Sequence, residues 1–165
     1  MRVIGIDPGT ASCGFGVVNT DGSRVRAVEF GVWKTSARQP LQARLGILYD
    51  SLSELVSKHA PDAVAVEESY VGADPRVALS VGQARGALLA ACAKADVAAT
   101  EYPPATVKQA VGGWGRADKK QMQRMVEAVL GLDAPPTPHH AADALAVAIC
   151  HALGSPLLTA AGASR

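Results

Sequence analysis

Hydrophobic and polar positions follow two periods along the first hundred residues. Val3, Ile4 and Ile6 form a short β-branched run, which predicts a strand buried on both faces, and Pro8-Gly9 stops it at once. Cys13 to Asn19 predicts a second strand, Asp21-Gly22 a hairpin turn, and the loose alternation from Val25 to Trp33 a third strand. These three make an antiparallel meander. The period then changes. Leu41, Leu45, Leu48, Leu52 and Leu55 are spaced by four, three, four and three, a one-faced helix opened by Gln39-Pro40 and ended by Ala60-Pro61-Asp62. Ala63 to Val66 is a second buried run, ending at Glu67-Glu68. The helical crossover before it puts this strand parallel to one of its neighbours.

In the second half, Val77 to Ala95 predicts a helix whose Gly82, Gly86 and alanines leave a flat face. That face suits close packing on the protein's own sheet or on a second copy, and both remain open. Val97 to Tyr102 predicts a last strand before Pro103-Pro104, and Thr106 to Val111 a short helix. Residues 112–115 form a Gly-rich loop carrying Trp114, and Lys119 to Leu130 a helix with Met122, Met125, Val126 and Val129 on one face. The three prolines between Asp133 and Pro138 make a rigid linker to a closing helix, His139 to Leu153, apolar almost all round after Asp143. The expected architecture is α/β: a mixed five-stranded sheet (antiparallel meander plus parallel strands) flanked by helices. It forms a single domain over residues 1–154, and residues 155–165 are expected to be disordered.

Composition sharpens this picture in only two places. The net charge of +1 over 165 residues is uninformative, yet Tyr102 to Val126 holds five cations (Lys108, Arg116, Lys119, Lys120, Arg124) against Asp118 alone. Such a segment is either a solvated face or the footprint of a phosphate backbone. The three cysteines, Cys13, Cys92 and Cys150, are widely spaced among apolar residues and read as reduced core residues rather than a disulfide or zinc framework. No signal peptide or apolar run of membrane-spanning length is evident, so a cytoplasmic protein is expected.

Candidate chemistry lies where buried elements meet carboxylates. Asp7 ends the first strand and Glu67 the fourth; if those strands are neighbours, the two side chains meet ~5 Å apart. Glu67 and Glu68 should point to opposite faces, so only one joins Asp7, and Glu67 directly follows the buried run. Asp143 is the third candidate, a charge in an otherwise Ala, Leu, Val and Ile helix, with His140 three residues earlier on the same face. Simpler roles are open to each: an Asx cap for Asp7, and a favourable helix N-terminal position for Asp143. Acids converging without cations would repel, and a divalent ion resolves this. Carboxylate oxygens favour Mg2+ or Mn2+, with the imidazole tilting toward Mn2+. Two ions in such a cluster would serve in-line phosphodiester hydrolysis, one activating water and the other stabilising the leaving oxygen.

The strand ending in Asp-Pro-Gly-Thr and the order of elements resemble the ribonuclease H-like superfamily. More closely, Gly5-Ile-Asp-Pro-Gly-Thr10, Val66-Glu67, Gly82-Gln-Ala-Arg-Gly86, Pro104-Ala-Thr-Val-Lys-Gln109 and Ala141-Ala-Asp-Ala-Leu-Ala146 together resemble the RuvC family of Holliday-junction resolvases, up to about Gly154. The resemblance implies a homodimeric endonuclease dependent on Mg2+ or Mn2+. It would nick two strands of like polarity symmetrically in four-way junction DNA during homologous recombination and DNA repair. It would act beside the branch-migration complex of RuvA and RuvB. The family's active-site positions fall on Asp7, Glu67, His140 and Asp143. Many members carry Asp where this chain has His140, and His139 is the adjacent alternative. The implied DNA contacts are Lys108 and Lys119 with Lys120 beside them, Tyr70 as a stacking aromatic at the junction centre, and Arg76 and Arg85 on phosphates.

Three other readings compete, one of them a smaller resolvase-like branch involved in RNA processing, which shares the first motif but is not expected to carry Gly82-Gln-Ala-Arg-Gly86 or the long basic segment. Phosphotransferases of the actin and sugar-kinase class also start a domain with a strand and Asp-x-Gly-Thr, but they need a second similar half and a second phosphate loop, which this chain lacks. A junction-binding module without catalysis would gain nothing by concentrating Asp7, Glu67 and Asp143 against DNA.

Overall fold

Three consecutive strands, β1 (Arg2–Asp7), β2 (Ser12–Thr20) and β3 (Val25–Lys34), form the meander in a computed structural model. The structure describes residues 1–22, 24–68, 74–113 and 117–162, the side chains of 155–162 excepted. The expected two-residue hairpin is instead a four-residue connection, since Thr20 pairs with Val25. Within it Gly22 takes φ 103°, open to glycine without strain, and the Asp21 carboxylate accepts from the Arg24 amide.

The leucine-striped helix α1 (Leu41–His59) buries Leu48, Leu52, Leu55 and Val56 and ends where Ala60 turns left-handed. Its crossover delivers β4 (Ala63–Glu67) parallel to β1, with Ile6 opposite Val66. Helix α2 (Pro75–Lys94) then leads to β5 (Ala99–Tyr102), parallel to β4. The sheet order is β3-β2-β1-β4-β5, so the first and fourth strands are neighbours as expected.

Helices α3 (Pro104–Gly112), α4 (Lys119–Leu130) and α5 (His139–Gly162) complete the chain. α3 starts two residues before Thr106 because proline suits a first helical position, where its missing N–H costs nothing. Asp118 and Gln121 close a reciprocal capping box at the start of α4, which fixes Lys119 at that helix's first residue. α5 runs to Gly162, past the expected end at Leu153 and into the stretch expected to be disordered. Leu157, Leu158, Ala160 and Ala161 are good helix formers that carry it on. Among the described residues, no helix is long and apolar enough to cross a membrane.

The two sheet faces have separate cores. Ile4, Ile6, Cys13, Val17, Val64 and Val66 pack against α1 and α2, while Val3, Val18 and Ala65 pack against α3, α4 and α5. Three cysteines are buried and free, as the sequence suggests. α5 lies unusually close to the sheet. A Cβ on Gly5 would sit 2.0 Å from the Ala144 carbonyl oxygen, and one on Gly14 would sit 1.9 Å from that of His140. Glycine at these positions, Gly5 facing Ala144 and Ala148 and Gly14 facing the His140 backbone, permits that approach.

Candidate active site

Two parallel strands and one helix end at a single cleft. β1 terminates at Asp7 because Pro8 cannot extend the ladder, and one register step beyond the Ile6–Val66 pair lies Glu67. α5, seated on Gly5 and Gly14, brings its first turn over the same spot. The His140 Nδ1 lies 2.6 Å from Asp7 Oδ2. One ligand atom each from Asp7, His140 and Asp143 falls within 4.8 Å of the others. Asp7, Glu67, His140 and Asp143 all line a cavity of about 360 Å3, with Lys108 from α3 and Lys119 from α4 on its walls.

The electrostatics of this cluster are unfavourable as it stands. Burial, reinforced by the charge of Asp143, pushes the Asp7 carboxyl up to about 7. Burial again, then Asp7 and Asp143, push Glu67 up to about 8. A hydrogen bond between these two side chains lowers Asp7 and raises Glu67, so the pair holds a proton in common. Asp143 is raised by burial, against the opposing pull of Lys119. The lysines oppose the shifts without cancelling them. A divalent ion would stabilise all three acids in their charged form, and the donor set, carboxylate oxygens with one imidazole nitrogen, suits one.

The remaining expected site residues fall in different places. His139, the alternative to His140, is exposed; its ring stacks at a tilt on His140, 4.2 Å between centroids, and it is not among the three grouped donors. Lys120 is exposed and lies off the cleft wall. Arg76 is exposed at the start of α2 and lines an adjoining cavity. Arg85, expected on phosphate, is ion-paired with Glu101 on β5. Tyr70 lies outside the described residues. Glu68 is a correction: it also lines the cleft, although strand alternation should have sent it to the far face. β4 ends at Glu67, so the alternation no longer governs the next residue.

This geometry can be set beside known proteins. A family model described as crossover junction endodeoxyribonuclease RuvC matches residues 3–151. A Chloroflexus aggregans protein of that name is 51% identical, covering 99% of this chain and 100% of its own length. This chain belongs to the RuvC family. The solved structure of Thermus thermophilus RuvC superposes with a TM-score of 0.89 at 40% identity, covering 96% of this chain and 98% of that one. The same Thermus protein in complex with a Holliday junction substrate matches with a TM-score of 0.87 at 38% identity, covering 95% and 96%. As a RuvC-family chain it is a metal-dependent endodeoxyribonuclease, and the acidic cluster is the group of described residues suited to the metal.

Proposed function

We propose that this protein resolves four-way DNA junctions as a homodimer, each protomer hydrolysing one phosphodiester in strands of like polarity. Such symmetric nicking would serve recombination and repair. The observation that carries the reading is the meeting of the half-buried Asp7, Glu67, His140 and Asp143 in a cleft walled by two lysines. Asp7, hydrogen-bonded to both Glu67 and His140, is central to the donor set. Asp7, Glu67, His140 and Asp143 would hold the ions between them, with Asp7 the donor shared by the whole set. The bound ions, Mg2+ or Mn2+, would supply activated water and charge stabilisation on the leaving oxygen. His140 in place of a fourth acid favours Mn2+ relative to members with Asp there.

The residues themselves perform the rest. Lys108 and Lys119 stand opposite the acids and hold the phosphates on either side of the scissile bond. Arg76 and Lys120 extend that positive track, and Tyr70 is kept as the stacking aromatic at the crossover. The pairing of Arg85 with Glu101 favours a structural role for Arg85 over a phosphate contact. α2 supports the dimer reading: a Cβ at Gly82 or Gly86 would meet nothing within 4 Å, and Val77 and Leu79 are 59% and 65% exposed. The Gly82 and Gly86 positions therefore do not serve packing within the chain, whereas Ala84 and Ala91 on the same helix do. A cytoplasmic location and cooperation with RuvA and RuvB complete the proposal.

The deciding assay is cleavage of an end-labelled synthetic four-way junction, beside the matching linear duplex, in EDTA, Mg2+ and Mn2+. Paired symmetric nicks in the junction alone, and only with metal, are expected. Binding without cutting would reduce the protein to a junction-holding module. Neither binding nor cutting would overturn the assignment of this cleft to junction cleavage.

A further inference from the structure

α5 rests on bare backbone where it passes over the sheet, its first turn on Gly14 of β2 and Ala144 and Ala148 on Gly5 of β1. These contacts set the height of the helix. They have little direction, so they do not stop it sliding along its own axis. A slide of one residue, about 1.5 Å, would carry His140 and Asp143 past Asp7 and Glu67.

Among the described residues, three side chains of α5 hydrogen-bond to other elements. His140 meets Asp7 inside the site, and the Cys150 thiol donates weakly to the Thr106 carbonyl at 4.0 Å. The third is His151, whose Nδ1 lies 2.9 Å from the Tyr102 hydroxyl. The two rings meet edge to face, 5.8 Å between centroids, and each residue is 7% exposed. Burial holds the imidazole below its ordinary pKa and the phenol above its own, so the bond joins neutral groups near pH 7. His151 lies about three helical turns beyond His140, and the hydrolytic chemistry uses neither member of the pair.

Tyr102 stands where the elements that carry the site join. It is the register partner of Glu67 on the neighbouring strand, and its carbonyl accepts the Glu68 amide at 2.8 Å. α3 starts at Pro104 and carries Lys108 to the cleft wall. Two aliphatic side chains could fill the space between Tyr102 and α5, but only a hydrogen bond gives that contact a direction. We infer that Tyr102 and His151 are a positioning pair, whose hydrogen bond sets the axial register of α5 against β4 and thereby the spacing of His140 and Asp143 from Glu67. The inference rests on the metal site proposed above.

The test measures Mn2+ binding to the full-length protein without DNA, from the electron paramagnetic resonance signal of the free ion, beside melting in EDTA. Tyr102→Phe removes only the hydroxyl and should weaken Mn2+ binding about tenfold, the scale on which outer partners of metal ligands act. His151→Leu should do the same, and the double variant should lose no more than either change alone. His151→Asn, whose amide can take the place of Nδ1, should bind as the wild type does. Val56→Ala, which opens the core on the opposite face of the sheet, should lower the melting temperature and leave Mn2+ affinity unchanged. Wild-type affinity in Tyr102→Phe, whatever its melting temperature, would reduce the pair to packing and overturn the inference. So would a His151→Asn protein that binds as weakly as His151→Leu. A wild type that binds no Mn2+ would overturn the metal site as well.

Discussion

The two ends of the sheet treat charge in opposite ways. At the end where β1 begins, Arg2 and Glu29 are both held by partners from distant elements. The Arg2 amide donates to Asp62 Oδ2 at 2.6 Å, its Nε to Asn19 Oδ1 at 2.9 Å, and its Nη1 to the His59 carbonyl at 2.6 Å. Glu29 meets Lys58 Nζ at 2.7 Å and His59 Nε2 at 2.6 Å, and those hydrogen bonds hold its carboxyl below the usual range. At the end where β1 stops, Asp7, Glu67 and Asp143 are half-buried together and all three are raised. One end is finished by the chain's own groups. The other is left in deficit for an ion to complete, so its electrostatics belong to function rather than to stability.

The contrast breaks most visibly at Asp7. Asp7→Asn keeps the shape and the hydrogen-bonding capacity but removes the central anionic donor. Single-turnover cleavage of a four-way junction should fall by at least about a thousandfold, roughly 4 kcal/mol of barrier, while gel-shift binding of the junction stays equal or tightens. Wild-type cutting by this variant would end the metal assignment.

Titration separates the ends next. Below about pH 4 both folded and unfolded chains hold the protons of Asp7 and Glu67. As pH rises, the unfolded chain releases them first and the folded chain retains them up to about pH 7 and 8. The folded state then binds more protons than the unfolded, so metal-free stability declines across that window and levels above it. Since the two groups share a proton, the loss should be on the order of 2 kcal/mol, or roughly 5 °C in melting temperature. Scans in EDTA from pH 4.5 to 8.5 measure it, and Asp7→Asn should reduce the slope without abolishing it, since burial and Asp143 still raise Glu67. Glu29 works in the reverse sense, adding stability above its unfolded value that acid removes. A metal-free melting curve rising steadily toward pH 8 would contradict the deficit at the acidic end.

A smaller effect is expected from the satisfied end. Arg2→Ala should cost about 1–2 kcal/mol in denaturant unfolding, with junction cleavage per folded molecule unchanged. Loss of turnover there would mean the two ends are coupled. Smallest of all, Lys108→Ala or Lys119→Ala should each weaken junction binding modestly and lower the slope of log affinity against log salt by about one. An unaltered slope would take that lysine off the DNA face.

Much of this was legible before any coordinates, for reasons that can be located. The strand and helix periods gave the meander, α1 and the parallel neighbour, because each element buries one side of a local pattern. Asp7 and Asp143 stood out as charges interrupting apolar runs, a local signal too. What escaped depends on contacts between distant segments or on exact element ends. Arg85 and Glu101 are sixteen residues apart and meet only when α2 lies on β5. Glu68 reached the cleft because β4 ends one residue sooner than alternation assumed. His139 and His140 could not be separated by sequence, since adjacent helix residues differ only in azimuth, and the contact with Gly14 sets the rotation of α5. The Tyr102–His151 pair spans 49 residues and carries no motif of its own.

That contact at Gly14 has a consequence for how such a site drifts. The separation between His140 and Asp7 is gauged by the thickness of a bare backbone on β2, a position that donates nothing to the cleft. One added methyl there would lift the first turn of α5 and spread the donors, altering which ion fits while leaving every ligand in place. The spacer is a residue with no side chain, and its tolerance for change is narrower than that of many residues that touch the substrate.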